Sequence, residues 1–326
     1  MSAEPPHVAS VVLNWNRRDE TLACLDSILA SGWPRLTAIV VDNASEQEIE
    51  GHLADRFPGA RFVRNETNRG FAGGMNRGVM EALNLGVAYV LLLNNDTHVA
   101  PGMVRALVEA AEAHSDAGIV CPLVLYRDKP DVILSAGLRC DLRRGYQGPA
   151  LGMGETDRGQ FAGVRSVDAP SGAAMLVPAG AVREVGLLDE ELFLYGEDVD
   201  WAQRMQAVGR RVYVVGEARL WHGLSASSGG AFSPLSAYFQ TRNSFVVCAR
   251  YAPLRGPRRF VRGADIVLAN LIHTRRASRP FVNVRAVLAG WADHRRGRTG
   301  PGPEWMHSTP DQLRYRAART PGCESR

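Results

Sequence analysis

An α/β fold is predicted for this 326-residue chain, with a doubly wound, mostly parallel central sheet flanked by helices and a helical C-terminal extension. Three features predict it. Apolar, β-branched runs alternate with helical patterns up to about residue 117, the rhythm of a sheet built from βαβ units. Two of those runs, VVDNAS and LLLNNDT, stop at a carboxylate, Asp42 and Asp96, as strands do at the edge of an open sheet where ligands bind. From about Leu235 to about residue 296 strand signals vanish and the pattern is helical.

The elements follow in order. HVASVVLNW is rich in β-branched residues and uninterrupted, so it reads as a strand. Residues 18–31 carry Leu22, Leu25, Ile28 and Leu29 at helical spacing. LTAIVVDN is the second strand. Ser45, with Glu48 three residues later, has the form of a capping box opening a helix that runs to about Arg56. ARFVRN is a short strand, and a helix is expected from about Gly73 to Leu85. VAYVLLLNND is wholly apolar until its end, as a strand covered by helices on both faces should be. Pro101 suits the first position of the next helix. GIVCPLVLY and VILSAGL read as strands, and 141–163, rich in Gly and Arg without period, as a mobile loop. SVDAPSGAAMLVPAG is a strand running into a turn, 197–208 a helix, and RRVYVVG a strand. These boundaries give a catalytic-type α/β domain over 1–232, a helical extension over 233–298 and a disordered tail over 299–326.

Composition narrows the class. With 45% hydrophobic and 22% charged residues, the chain is globular and large enough to need no disulfide staple. Its five cysteines are scattered with no CxxC pair, which argues against a zinc site and for a reducing, cytoplasmic compartment. The start, MSAEPPHVAS, lacks the features of a signal peptide, and no apolar run is long enough for a membrane span. No nucleic-acid partner is expected. The net charge of +4 is unevenly placed: ten arginines lie between Arg250 and Arg298, opposed there only by Asp265 and Asp293. Interleaved with Phe260, Val261, Ile266, Leu268, Leu271, Ile272 and Leu288, they suggest an amphipathic face for an anionic membrane surface, an ordinary solvated face, or a polyanion-binding one.

Several residues carry candidate chemistry, each with a plainer alternative. Asp42 can accept hydrogen bonds from ribose hydroxyls or a base, or it can be a turn residue. In Asn94-Asn95-Asp96 the carboxylate is a hard ligand for Mg²⁺, which favours one or two carboxylates plus substrate phosphates; the alternative is a strand-to-turn transition. NRGFAGGMN opens a helix with glycines that let backbone approach a phosphate, or that simply allow a tight turn. It matches neither a dinucleotide fingerprint nor a Walker loop. Glu197 and Asp198 stand at a helix start amid Leu192, Phe193, Leu194, Tyr195 and Trp201; acids suit a helix N-terminus anyway, but partial burial would also raise their proton affinity toward general-base work. His222 is a possible nitrogen ligand or a structural imidazole. Arg242 could clamp a diphosphate or form a surface ion pair.

VVLNWNRRDETLACLDSI, VVDNAS, NETNRGFAGGMNRG, LLLNNDT, SGAAMLVPAGAVREVGLLDEELFLYGEDVDW and LWHGLSAS, in this order over about Val11 to Ser227, resemble the family 2 glycosyltransferases of the GT-A fold, in particular the bacterial rhamnosyltransferase-like and galactofuranosyltransferase-like enzymes. YFQTRNSF resembles a segment that follows the catalytic domain in that subgroup. The resemblance implies an inverting enzyme taking a sugar from a nucleoside diphosphate, with dTDP-L-rhamnose the first expectation and a UDP-sugar the second. The acceptor would be a glycan, a lipid-linked glycan or a small molecule, at the inner membrane face or in solution. Asn14, Asp42, Asn68, Gly70, Asn76, Asn95 and Arg242 would contact the donor. Asp96 would hold Mg²⁺ or Mn²⁺ on the diphosphate with His222 as a further ligand. Asp198, beside Glu197, would be the base. Asn94 stands where a strict DxD motif has its first acid. A sugar nucleotidyltransferase, which would show a glycine-rich loop where NWNRRDE stands, and a non-catalytic sugar-nucleotide-binding protein are the alternatives.

Overall fold

The computed structural model describes residues 4–145, 150–223, 233–274, 277 and 279–306. Its first half is β1 (Val8–Asn14), α1 (Arg18–Leu29), β2 (Leu36–Asp42), α2 (Glu50–Arg56), β3 (Arg61–Arg64), α3 (Gly70–Asn84) and β4 (Tyr89–Asn94). The second half adds β5 (Thr97–Val99), α4 (Met103–Ala113), β6 (Ala117–Tyr126), β7 (Ile133–Ser135), β8 (Val164–Val167), β9 (Ala174–Pro178), α5 (Ala179–Val185), α6 (Glu197–Ala207) and β10 (Arg211–His222). Three helices follow: α7 (Pro234–Tyr251), α8 (Pro257–Thr274) and α9 (Pro280–Arg295).

One sheet runs in the order β3-β2-β1-β4-β9-β6-β10-β5. Pairing is parallel from β3 to β4, as the βαβ rhythm predicts. Beyond β4 the sheet is mixed, because β9 enters antiparallel between β4 and β6 and β5 lies antiparallel on β10. Side chains alternate across the sheet. Ala9, Val11, Ile39 and Val41 pack with Met75 and Val79 of α3 on one face. Val8, Val12, Ala38 and Val40 pack with Leu22, Leu25 and Ile28 of α1 on the other. Gly78 makes the first contact possible: a Cβ there would stand 2.2 Å from Val11 Cγ1. A third apolar cluster, with Tyr238 and Phe239 of α7 and Ala286 and Val287 of α9, joins the helical extension to Phe193 of the first unit.

Several boundaries differ from the sequence reading. Ser45 does not cap α2; its hydroxyl accepts from Asn14 Nδ2 and the Asn16 N–H, and the helix starts five residues later at Glu50. Helix α3 begins at Gly70 instead of Gly73, because the N–H groups of Phe71 and Ala72 donate to the carbonyl of Phe193 from a remote segment. SVDAPSGAAMLVPAG holds two strands, β8 and β9, not one. Of the expected loop at 141–163, residues 146–149 lie outside the described residues, and much of the rest is turns, pinned by the bridges Val132 to Thr156 and Leu138 to Ala150. Residues 299–306, assigned above to a disordered tail, pack on α7: the Gly300 carbonyl accepts from Arg242, and Met306 is buried. Residues 307–326 lie outside the described residues.

Candidate active site

A cavity of about 260 Å³ lies at the carboxyl ends of β1, β2 and β4, the edge where open α/β sheets bind ligands. Of the residues singled out from the sequence, Asn68, Gly70, Asn95, Asp96, Glu197, Asp198 and His222 line it. The strand-tip carboxylate and the distant acidic helix start therefore face one cleft. Asn14, Asp42, Asn76 and Arg242 are not among its lining residues.

One corner is built by β4, β5 and β10. The turn Asn94–Thr97 is closed by Thr97 Oγ1 donating to the Asn94 carbonyl at 2.6 Å. Antiparallel pairing of β5 with β10 then sets Thr97 opposite His222, which brings the imidazole beside Asp96. His222 Nε2 is 3.0 Å from Asp96 Oδ1 and 3.3 Å from Asn94 Nδ2, while Asn94 Oδ1 is buried without a hydrogen-bond partner. One ring nitrogen cannot satisfy a carboxylate acceptor and an amide donor together. The group is thus imperfectly paired by itself. Two ligands about 3 Å apart also suit neighbouring positions on an octahedral cation with bonds of about 2.1 Å. Asp96 and His222, with the Asn94 carboxamide in reach, therefore fit a divalent cation that draws its other oxygens from substrate and water. No cluster of three His, Cys, Asp or Glu side chains that could hold a metal unaided occurs among the described residues.

The opposite side is the start of α6. Gly196, at φ 90°, turns the chain into the helix, and Glu197 and Asp198 occupy its first turn. Glu197 is buried, and its Oε2 has no hydrogen-bond partner. Burial raises its proton affinity, and the Asp198 charge adds to the rise. Asp198 is half-buried and accepts from the Val199 N–H at 2.8 Å. Burial raises its proton affinity too, but the backbone N–H groups around it pull the other way. Asp198 is thus the better candidate for an ionised base and Glu197 for a protonated neighbour.

The four residues that do not line the cavity support it from below or behind. Asn14 and Asp42 belong to a chain, buried except for the exposed Arg64, in which Asn95 Nδ2 donates to Thr21 Oγ1, Thr21 to Asn14 Oδ1, Asn14 Nδ2 to Asp42 Oδ1, and Arg64 to Asp42 Oδ2. That chain ties the ends of β1, β2 and β4 together. Asn76 is spent on remote backbone: its Nδ2 donates to the Leu188 carbonyl, and its Oδ1 accepts from the Leu188 N–H. Arg242 is 1% exposed and donates to the carbonyls of Glu191, Leu192 and Gly300, so its guanidinium holds protein backbone, not a diphosphate.

Sequence reasoning passed over other lining residues, Trp15, Asn43, Ser171, Gly172 and Leu235 among them; Phe193 and Tyr195 it named only as apolar surroundings of the acids, and Phe71 and Met75 only within the loop that opens α3. Asn43 had a signal, since it follows Asp42 at the strand end. Its Nδ2 donates to Asn68 Oδ1 and its Oδ1 accepts from the Arg69 N–H, which shapes the loop before α3. Gly172 had one too, standing between Ser171 and an apolar strand; a Cβ there would be 3.1 Å from Asp198 Oδ2.

The family model described as "Glycosyl transferase family 2" matches residues 10–168, a stretch that contains Asp96 but not His222 or Asp198. Residues 10–168 are a family 2 glycosyltransferase domain, and the chain is a glycosyltransferase. The glycosyltransferase is 27% identical over 264 residues to an N-acetylglucosaminyl-diphospho-decaprenol L-rhamnosyltransferase of Mycobacterium tuberculosis, covering 75% of this chain and 85% of that one. It is 23% identical to a dTDP-rhamnosyl transferase of Shigella flexneri over 82% of this chain and 87% of that protein. Its fold is that of the mannosyltransferase from Pyrobaculum calidifontis solved with GDP-Man and Mn²⁺, with a TM-score of 0.57 and 17% identity over 97% of this chain and 81% of that one.

Proposed function

We propose that this glycosyltransferase inverts the anomeric centre of a sugar taken from a nucleoside diphosphate, with dTDP-L-rhamnose as donor, Asp198 as general base and Asp96 with His222 holding a divalent cation. One observation carries the reading: Asp198 and the Asp96–His222 corner line the same cavity. No Lys or Arg is found among its described lining residues. A donor diphosphate would there meet Asp96, Glu197 and Asp198 with no basic side chain opposite, so a cation on Asp96 and His222 supplies the missing positive charge. The largely apolar lining, with Leu13, Trp15, Phe71, Met75, Phe193, Leu194 and Leu235, supports a 6-deoxy sugar, whose methyl replaces a hydroxyl that would need a partner.

The chemistry left to the chain is proton removal and positioning. The acceptor hydroxyl gives its proton to an Asp198 oxygen as it attacks the anomeric carbon on the side away from the leaving diphosphate. Glu197, protonated, adds no second charge beside that base. Asn68 and Asn95 offer amide groups to the donor. The apolar walls exclude water that would otherwise hydrolyse it.

The acceptor fits a lipid-linked glycan on an anionic membrane surface. The M. tuberculosis relative carries such an acceptor in its name. Phe260, Val261, Leu268 and Ile272 of α8 and Phe281 and Leu288 of α9 are exposed, interleaved with exposed arginines 258, 259, 285 and 295. Arg262 does not join that face; it is buried against the carbonyls of Leu142, Cys248 and Ala252. Arg275 and Arg276 lie outside the described residues. No described helix is long and apolar enough to cross a membrane.

The deciding experiment pairs turnover with binding. Asp198→Asn should cut dTDP release from dTDP-L-rhamnose by about 10²–10⁴-fold. The rise in melting temperature produced by dTDP with Mn²⁺ should survive in that variant. EDTA should abolish the rise in the wild type. Undiminished turnover in Asp198→Asn removes the base assignment, and nucleotide binding unaffected by EDTA removes the cation.

A further inference from the structure

The segment from Glu191 to Gly196 joins two sides of the cavity, and its backbone lies in uncommon regions at successive points. Phe193 has φ 63° and ψ −56°, Tyr195 has φ 65° and Gly196 has φ 90°. The Leu194 N–H donates to the Leu192 carbonyl at 2.7 Å, which makes Phe193 the centre of a three-residue turn of the rare hand. A residue with a side chain keeps such a conformation only where its surroundings over-determine it.

Two neighbours on α7 do so. Asn243 is fully buried, and its Nδ2 lies 2.8, 2.9 and 2.6 Å from the carbonyls of Leu192, Leu194 and Tyr195. Its orientation is fixed because Arg242 Nε, which can only donate, lies 2.9 Å from Asn243 Oδ1. Arg242 NH2 donates to the Glu191 and Leu192 carbonyls at 3.1 and 2.9 Å. Its guanidinium also lies 4.8 Å from the centre of the Phe239 ring, which stacks on Phe193. Of the five consecutive carbonyls from Glu191 to Tyr195, all but that of Phe193 are thus held from the α7 side. The Phe193 carbonyl is held from the other side by the Phe71 N–H at 2.7 Å, at the start of α3.

We infer that Arg242 and Asn243 are positioning residues, which clamp the strained 191–195 backbone and so fix where Glu197 and Asp198 project into the cavity. The inference rests on Asp198 being the base. It explains why an arginine and an asparagine, both costly to bury, stand on a helix that sends neither side chain into the cavity.

The test uses Asn243→Ala and the isosteric Asn243→Asp, which removes the amide donors, in the full chain. Hydrogen exchange read by mass spectrometry should quicken by about tenfold or more in peptides covering 191–198 and stay unchanged in β1, β2 and β4. Turnover of dTDP-L-rhamnose should fall about 100-fold at an unchanged donor KM, as expected for a misplaced catalytic group. Arg242→Lys keeps the charge but loses the fork, and should show the same pattern. Unchanged exchange at 191–198 overturns the inference. So does exchange that rises equally across the sheet, or a chain that folds in neither Asn243 variant, because the pair would then serve general stability. Exchange is read without any sugar transfer. A wild type that binds no dTDP with Mn²⁺ therefore defeats the proposed donor and cation while leaving this inference to be decided by exchange.

Discussion

Glu197 shows how the site is bound up with stability. Its carboxyl is buried, and burial together with the nearby Asp198 raises its pKa above the ordinary carboxylate value of about 4. The folded chain therefore binds this proton more tightly than the unfolded chain does. The sign follows: the contribution favours folding at low pH and is lost as pH rises from about 4 through the raised value. Glu197→Gln has no proton to lose. Its melting temperature should match the wild type near pH 4 and exceed it increasingly at higher pH, on the order of 1 kcal/mol for each pH unit crossed. A difference that stays flat with pH would mean that Glu197 is not held neutral. At this scale the sequence was informative where the cause is local. Asp96 stands in the turn just after a strand and Asp198 in the first turn of a helix, and both positions can be read from neighbouring residues. Asn76 and Arg242 were misread because their partners are 112 and about 50 residues away, and side-chain type alone does not show where its hydrogen bonds go.

Among the elements, the start of α3 depends most on contacts the sequence does not display. Its N-cap residue, Arg69, supplies no side-chain acceptor; Asn68 Oδ1 accepts from the Gly70 N–H, and the carbonyl of Phe193 accepts from those of Phe71 and Ala72. Gly70 makes this possible, with φ 71° and no Cβ; a Cβ would sit 2.4 Å from the Phe193 oxygen. Gly70→Ala should therefore destabilise the chain by about 2–4 kcal/mol in urea unfolding, from left-handed strain of about 1–2 kcal/mol plus the displaced contact. It should also weaken the dTDP-induced rise in melting temperature, since Asn68 and Gly70 line the cavity together. Gly32→Ala is the control: φ is 80° there but nothing lies within 4 Å, so only the strain applies. Equal losses for the two substitutions would show that the Phe193 contact contributes nothing. The alternation of strands and helices was legible because period and apolar character are properties of short windows. The placement of β9 between β4 and β6 was not, because antiparallel insertion after a long irregular excursion leaves no periodic trace.

For the whole molecule, the distribution of charge and apolar surface distinguishes two ends. The cavity presents acids and apolar side chains, whereas α8 and α9 carry arginines among exposed Phe260, Leu268, Ile272 and Phe281. Phe281 is 89% exposed and Phe260 78%, an expensive arrangement for side chains of that size unless something apolar receives them. The apolar cluster that includes Tyr238, Ala286 and Val287 also contains Phe193, with Leu194 and Tyr195 packed against it, so the basic end is joined to the cavity wall through packed side chains. An acceptor anchored in lipid would then meet Asp198 without leaving the surface. In sedimentation with vesicles, the full chain should bind phosphatidylglycerol more tightly than phosphatidylcholine, and 0.5 M salt should release it, as arginine attraction worth about 1 kcal/mol per residue requires. Phe281→Ser with Phe260→Ser should lower the affinity by about tenfold or more, the loss expected on withdrawing large apolar side chains from the interface. Turnover of a soluble acceptor should stay unchanged in that double variant, because neither residue lines the cavity. Equal binding to both lipids, or binding indifferent to the two phenylalanines, would assign the arginine-rich face to solvent and leave the acceptor to arrive by diffusion.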